Sequence, residues 1–271
     1  MESVMNEPTL EQSIQTIFRE FGLEKLALHW QVVVLSAIAC QGTVYLSSVL
    51  SPLLFPKTYR SLSPIKQRSW DVHVVSMAHC IIICALAYPL RFEPELVADK
   101  LFGYNSHAGD VYGIACGYFL WDAIFHLRHL KQFGLGFAIH GIACFIVFLN
   151  AFRPFLMYYG SIFLMFELST PFLNVNWFMD KLGYTGSRLQ LVNGVCLILT
   201  FFLARIVYGF WSSYEVFVGV KAVSAQVPLH LMVLYGVANI ALNFLNVIWF
   251  IKMIQSIISR FTGNRKKSKK L

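Results

Sequence analysis

At 271 residues, 57% hydrophobic and only 13% charged, with a mean hydropathy of +0.60, the chain lies well outside the composition of an ordinary soluble domain and reads as a multi-pass membrane protein. The formal net charge of +8 does not point to nucleic acid, because the basic residues sit in short loops and a terminal tail, as orientation signals do. No groove-reading module accompanies them, so nucleic acid is not an expected partner.

Residues 1–28 contain no apolar stretch behind a basic one, so a cleaved signal peptide is not expected. Leu10, Ile14, Ile17, Phe18 and Phe21 fall at helical spacing, with Glu11, Arg19 and Glu20 on other faces. This pattern predicts an amphipathic helix lying on the membrane surface. Seven hydrophobic segments follow: Trp30 to Leu50, Trp70 to Leu90, Gly109 to Leu127, Phe133 to Phe152, Phe155 to Phe172, Leu189 to Trp211 and Leu229 to Ile251. Each is long enough, or nearly so, to cross roughly 30 Å of hydrocarbon. Pro154 is expected in the first turn of the fifth.

Basic residues cluster in alternate loops. Lys57, Arg60, Lys66, Arg68, Arg128, Lys131, Lys181, Arg188 and the tail from Arg260 lie on one side, against Arg19, Lys25, Arg91, Lys100, Arg153 and Lys221 on the other. The positive-inside rule then places the C-terminus in the cytosol and the N-terminus in the lumen. The tail ends RKKSKKL, and Lys267 and Lys269 have the spacing of a dilysine signal that returns membrane proteins to the endoplasmic reticulum through coat-protein contact. A plain topology anchor or an anionic-lipid contact is the competing reading. Residues 1–28, 29–259 and 260–271 are therefore read as amphipathic segment, transmembrane region and cytosolic tail.

Gly109, Gly113 and Gly117 repeat every four residues on the third segment, which lets a neighbouring backbone come close. Asn239, Asn243 and Asn246 form a polar stripe on the seventh, read as interhelical hydrogen bonding or as a ligand-lining face. All six cysteines lie inside apolar runs, so neither a disulfide framework nor a metal site is expected.

The stretch from Gly109 to Phe145 carries ionisable groups where lipid solvates them poorly: Asp122 and His126 on one helix, His140 on the next. His79 and Glu167 extend this set to four helices, and counting from the segment ends puts His79, Asp122, His140 and Glu167 at one level in the cytosolic half. Arg205 is expected deeper. Asp122 and His126 are four apart and can hydrogen-bond. A carboxylate beside a histidine, with another histidine across a cavity, suits general acid–base chemistry. Mutual satisfaction between helices is the alternative. No zinc-protease, Walker, dinucleotide or nucleophile-elbow motif occurs, and His126-x-x-His129 is a lone pair.

RSWDVHVVSMAH (Arg68 to His79), GYFLWD (Gly117 to Asp122), GFAIHGIA (Gly136 to Ala143), ELSTPFLNVNW (Glu167 to Trp177) and Asn193-Gly194 followed by FFLARI resemble, in order, the motifs of the TLC-domain family over about residues 66–259. That family includes ceramide synthases, TRAM proteins and smaller TLC-domain-containing proteins, and the small group is the most similar. The resemblance implies an endoplasmic reticulum membrane protein whose helices surround a lipid-accommodating cavity, acting in lipid metabolism, transport or sensing. The pattern departs at His140-Gly141, where ceramide synthases have two histidines, and at Thr170, where a second acid is expected. Both departures weigh against ceramide-type N-acylation.

The expected fold is an all-α membrane protein of about seven transmembrane helices around a central cavity, and the expected function is lipid homeostasis through a lipid held in that cavity. His79, His126, Asn174, Arg205, Asn239 and Asn243 are the candidate cavity-lining residues. The alternative is an acyltransferase with acyl-CoA as co-substrate, using His140 as base and Asp122 or Glu167 to orient it. No other cofactor is evident. A seven-helix receptor or transporter is a third class, but the Asp-Arg-Tyr and Asn-Pro-x-x-Tyr signatures and inverted repeats are missing. The expected partners are membrane lipid, the bilayer and a second copy of the chain.

Overall fold

A computed structural model describes residues 9–261, which are almost wholly helical, with no strand among them. The Lys267/Lys269 signal lies outside the described residues, as do residues 1–8. The helices fall into two compact units, residues 1–38 with 92–160 and residues 39–91 with 161–271. Four helical runs are long and apolar enough to cross a membrane: Leu26–Leu54, Pro64–Phe92, Arg188–Ala222 and Leu229–Ile258. They match the first, second, sixth and seventh expected segments. The other three are helical but do not reach that standard, so length and hydropathy alone do not establish seven crossings.

In the first unit, α1 (Leu10–Glu20) opens with a reciprocal cap: the Thr9 hydroxyl accepts from the Gln12 backbone N–H at 3.3 Å and the Gln12 side-chain oxygen Oε1 accepts from the Thr9 backbone N–H at 2.9 Å. Ile17 on this helix and Phe21 just after it are exposed. The chain then turns at Gly22, whose left-handed backbone (φ +68°) favours glycine. The first turns of α2 (Leu26–Leu54) pack on α6 (Ser106–Arg128). The glycine repeat on α6 is what permits it. A Cβ on Gly109 would lie 2.3 Å from the His29 ring, and one on Gly117 would lie 2.3 Å from the Val33 carbonyl. More than half of α6 is buried. That explains its modest hydropathy, because Asp122 and His126 face protein rather than lipid.

α7 (Leu130–Phe133) and Gly134 (φ +90°) lead into α8 (Leu135–Asn150), which packs on α6 through Gly141. Residues 151–156 form a turn. Pro154 falls in that turn, so the helix it was expected to open starts three residues later, with α9 (Met157–Leu164). Leu156 takes a left-handed backbone (φ +60°), and its N–H donates to the Leu101 carbonyl at 2.7 Å. Between α2 and α6, the chain forms three short elements in all: α3 (Pro56–Tyr59), a 3-10 turn at Pro89–Phe92 and α5 (Pro94–Ala98).

In the second unit, α4 (Pro64–Ala87) begins with proline at its first position, where the missing N–H is no loss. A 3-10 turn (Met165–Ser169) runs directly into α10 (Thr170–Lys181), so this helix continues nine residues past the expected end at Phe172. α11 (Arg188–Phe201) and α12 (Tyr208–Ala222) are joined through a π-helical turn, Phe202–Val207. α13 (Leu229–Phe261) carries the asparagine stripe. Asn243 donates at 2.9 Å to Ser213 on α12, an interhelical hydrogen bond, and at 2.9 Å to Asn239 on its own helix.

Candidate functional site

In the first unit, Asp122 and His126 are both buried on one face of α6. His126 Nδ1 lies 3.1 Å from Asp122 Oδ1 and 3.0 Å from the Asp122 carbonyl, so the carboxylate orients this imidazole. Phe137 stacks on the ring at 5.4 Å, and Phe125 and Phe133 meet it edge-on. His126 is thus an imidazole in an aromatic cage with its tautomer set by Asp122.

His140 sits on α8, half-buried, with the Phe119 ring 6.4 Å away and the Cys144 Sγ 3.7 Å from its Nδ1. The neighbouring Gly141 is a packing requirement. A Cβ there would lie 2.8 Å from Asp122 Oδ2 and 3.0 Å from the Ala123 N–H nitrogen. The position that would carry a second histidine is therefore occupied by the approach of α6 itself.

In the second unit, His79 on α4, Glu167 in the 3-10 turn and Arg205 in the π-helical turn form a second polar cluster. His79 is buried within electrostatic reach of the Glu167 carboxylate. Arg205 donates through Nε to the Phe166 carbonyl at 3.0 Å, lies over the Phe201 ring at 5.0 Å, and brings Nη2 to 3.9 Å from Glu167 Oε1. The π-helical turn widens the helix at Arg205. Arg205 was expected deeper than Glu167. The two meet because α10 continues to Lys181, which sets Glu167 fourteen residues from that helix end rather than five, about 20 Å along. Asn174 donates to Ser76 at 3.1 Å, one turn before His79 on α4. Asn239 and Asn243 lie on α13, bonded to each other and to Ser213.

The candidate residues thus divide by unit: Asp122, His126 and His140 in the first, His79, Asn174, Glu167, Arg205, Asn239 and Asn243 in the second. Among the described residues, no group of three or more His, Cys, Asp or Glu side chains could hold a metal ion, and no disulfide forms.

Two further polar networks lie outside the residues that the sequence singles out. In the second unit, Asp71 accepts from Ser47 Oγ at 2.6 Å and from the Tyr59 hydroxyl at 3.0 Å, while the Trp70 indole donates to Ser51 at 3.0 Å. Burial, reinforced by the Asp71 charge, pushes the Tyr59 phenol up to about 12. The available signal was Ser47 and Ser51, one turn apart on an apolar helix, opposite a motif containing Asp71. In the first unit, His29 is only 2% exposed, with Nδ1 2.7 Å from Asp110 Oδ1 and Nε2 2.7 Å from the Tyr104 hydroxyl. In the neutral imidazole, a proton on Nδ1 donates to the carboxylate and Nε2 accepts from the phenol. His29 stood one residue outside the first hydrophobic segment, so its burial had no sequence signal.

What these groups can do is proton transfer: an oriented imidazole (His126), an imidazole beside a thiol (His140 and Cys144), and a carboxylate beside an imidazole and a guanidinium (Glu167, His79 and Arg205). The family model described as TRAM_LAG1_CLN8, TLC domain, matches residues 69–255. An uncharacterised TLC domain-containing protein of Schizosaccharomyces pombe is 41% identical over 257 residues, covering 95% of this chain and 88% of that one. Topoisomerase I damage affected protein 4 of Saccharomyces cerevisiae is 32% identical, covering 77% of this chain and 78% of its own. Human TLC domain-containing protein 4 is 29% identical, covering 78% and 82%. With the matched model spanning more than half its length and its helices suited to the bilayer, the chain belongs to the TLC-domain family of membrane proteins.

Proposed function

We propose that this protein is a multi-pass protein of the endoplasmic reticulum membrane that acts in lipid homeostasis by holding a lipid in an intramembrane cavity, with about seven crossings. The carrying observation is the cluster of buried His79 and Arg205, each on a helix long and apolar enough to cross a membrane, with the partly buried Glu167 in the 3-10 turn of the same unit. Such groups are costly in lipid, by about 2.5–3.5 kcal/mol for a charge at mid-helix, and where they occur they mark ligand paths or pairing sites. A lipid head group with hydrogen-bonding oxygens suits a guanidinium close to Glu167 and an imidazole within electrostatic reach of the same carboxylate. The test is lipid analysis of the purified full chain. The wild type is expected to retain a defined lipid that Glu167→Gln and His79→Ala hold less well, and a wild type that retains none above the detergent background would refute the reading. For the location, replacing Lys267 and Lys269 with serine is expected to release the protein toward the cell surface, and unchanged imaging would count against dilysine retrieval.

Acyl transfer is the second reading, favoured by the contact between Cys144 and His140. His140 would take the thiol proton, the thiolate would attack the thioester carbonyl of acyl-CoA, and the coenzyme A thiolate would leave carrying that proton. The acyl group on Cys144 would then pass to an acceptor. Incubation with labelled acyl-CoA is expected to give a hydroxylamine-sensitive label lost in Cys144→Ala, and an unlabelled wild type with no turnover would dispose of the enzyme.

A further inference from the structure

The second-unit part of α2 turns one continuous face, Thr43 through Leu54, toward a cleft of about 370 Å³ whose far wall is formed by Trp70 of α4 with Phe178 and Leu182. The face runs twelve residues, about 16 Å from first to last along the helix axis. Its polar atoms are spent inside the wall, since Ser47 donates to Asp71 and Ser51 accepts from Trp70. The surface left for an occupant is therefore hydrocarbon, and the volume falls within the range of small-ligand sites.

Leu46, Leu50 and Leu54 keep 58%, 41% and 69% of their surface exposed, so the cleft is open along its length rather than closed into a tunnel. A chain already lying in the surrounding bilayer can enter it sideways. At one end, the face runs through Leu54 into exposed Lys57 and Arg60, and Leu182 is preceded by Lys181. Lys57 and Arg60 form no ion pair among the described residues, so their charge is available. This end lies on the side that loop charge assigns to the cytosol, the leaflet in which anionic lipids concentrate.

We propose that the cleft is a binding site for an anionic glycerophospholipid, one acyl chain lying along Leu46, Leu50 and Leu54 and the phosphate held by Lys57 and Arg60. None of its lining residues belongs to the cluster of His79, Glu167 and Arg205. It rests on the membrane reading of these helices but not on a lipid at those clusters.

The test uses the purified full chain in uncharged detergent, titrated with dioleoyl phosphatidylserine or dioleoyl phosphatidylcholine and read by native mass spectrometry. Two available cations predict that phosphatidylserine binds about thirtyfold more tightly. Lys57→Gln with Arg60→Gln is expected to abolish the preference while leaving weak binding of both lipids. Leu50→Trp, which fills the cleft, is expected to remove both, with helicity and elution volume unchanged. As an independent measurement that needs no variant, phosphatidylserine carrying a diazirine on its acyl chain is expected to crosslink to peptides containing Leu46–Leu54 or Phe178. Equal affinity for the two lipids, full binding by a folded Leu50→Trp, or crosslinks confined to other helices would each overturn the proposal. Lipid that co-purifies and is lost in Glu167→Gln, yet is indifferent to Leu50→Trp, would overturn the cleft alone and leave the proposed function standing.

Discussion

Gly141→Ala tests the argument that packing, rather than chemistry, keeps a side chain out of the position after His140. The added Cβ would stand 2.8 Å from Asp122 Oδ2, 3.0 Å from the Ala123 nitrogen and 3.1 Å from the Ala123 Cα. Comfortable contacts are nearer 3.5–4.0 Å, so α8 would have to retreat from α6 by about half an ångström. Two of the three atoms belong to the α6 backbone, which cannot swing away as a side-chain end can. Overpacking of this kind costs about 1–3 kcal/mol, and alanine returns about 0.5–1 kcal/mol of helix propensity. The net expectation is a loss of about 1–2 kcal/mol, or about 3–6 °C in Tm for a chain of this size. The control lies on the same helix. Gly136 has nothing within 4 Å of its would-be Cβ, so Gly136→Ala retains only the propensity gain and should melt at or slightly above the wild-type temperature. Thermal unfolding of the three proteins in one detergent, followed by circular dichroism, decides the matter. If Gly141→Ala melts with Gly136→Ala, the contact between α6 and α8 does not exclude a side chain, and the missing second histidine needs another explanation.

Arg205→Ala is expected to cost about 3 kcal/mol and to exceed Glu167→Gln, because it removes the donor to the Phe166 carbonyl and the contact with Phe201 as well as the ion pair. Equal melting of the two variants would contradict that. His29→Ala should lower stability by about 1–3 kcal/mol, since it strands the Tyr104 hydroxyl and one Asp110 oxygen. Asp110→Asn should be milder because the Asp110 side chain is 52% exposed. Tyr59 should ionise near pH 12 in the 295 nm absorbance difference between wild type and Tyr59→Phe. Because the folded value is raised, the stabilisation it reports is complete below the ordinary tyrosine range near pH 10 and disappears as pH rises through about 12. Asp71→Asn should move the transition only partway back, burial being the larger cause.

The amino-acid sequence by itself determined the class of protein, the presence of most helices and the burial of His79, Asp122, His126 and Arg205. Hydropathy is a sum over neighbours in the chain, so Trp30 to Leu50 declares itself a span whatever it packs against, and an Asp122 or Glu167 within such a run declares itself an exception. The glycine repeat on α6 was legible for the same reason, three small residues on one helical face. Only the tertiary structure decided partners. Arg205 meets Glu167 because the helix after the 3-10 turn continues to Lys181, through polar residues that a hydropathy boundary at Phe172 had cut away. Gly141 marks a backbone approach from α6, and His29 finds Asp110 and Tyr104 more than seventy residues away in the chain. Contacts of that range depend on helix length, on stagger and on which face turns inward. None of these is a local property of the residues that finally touch.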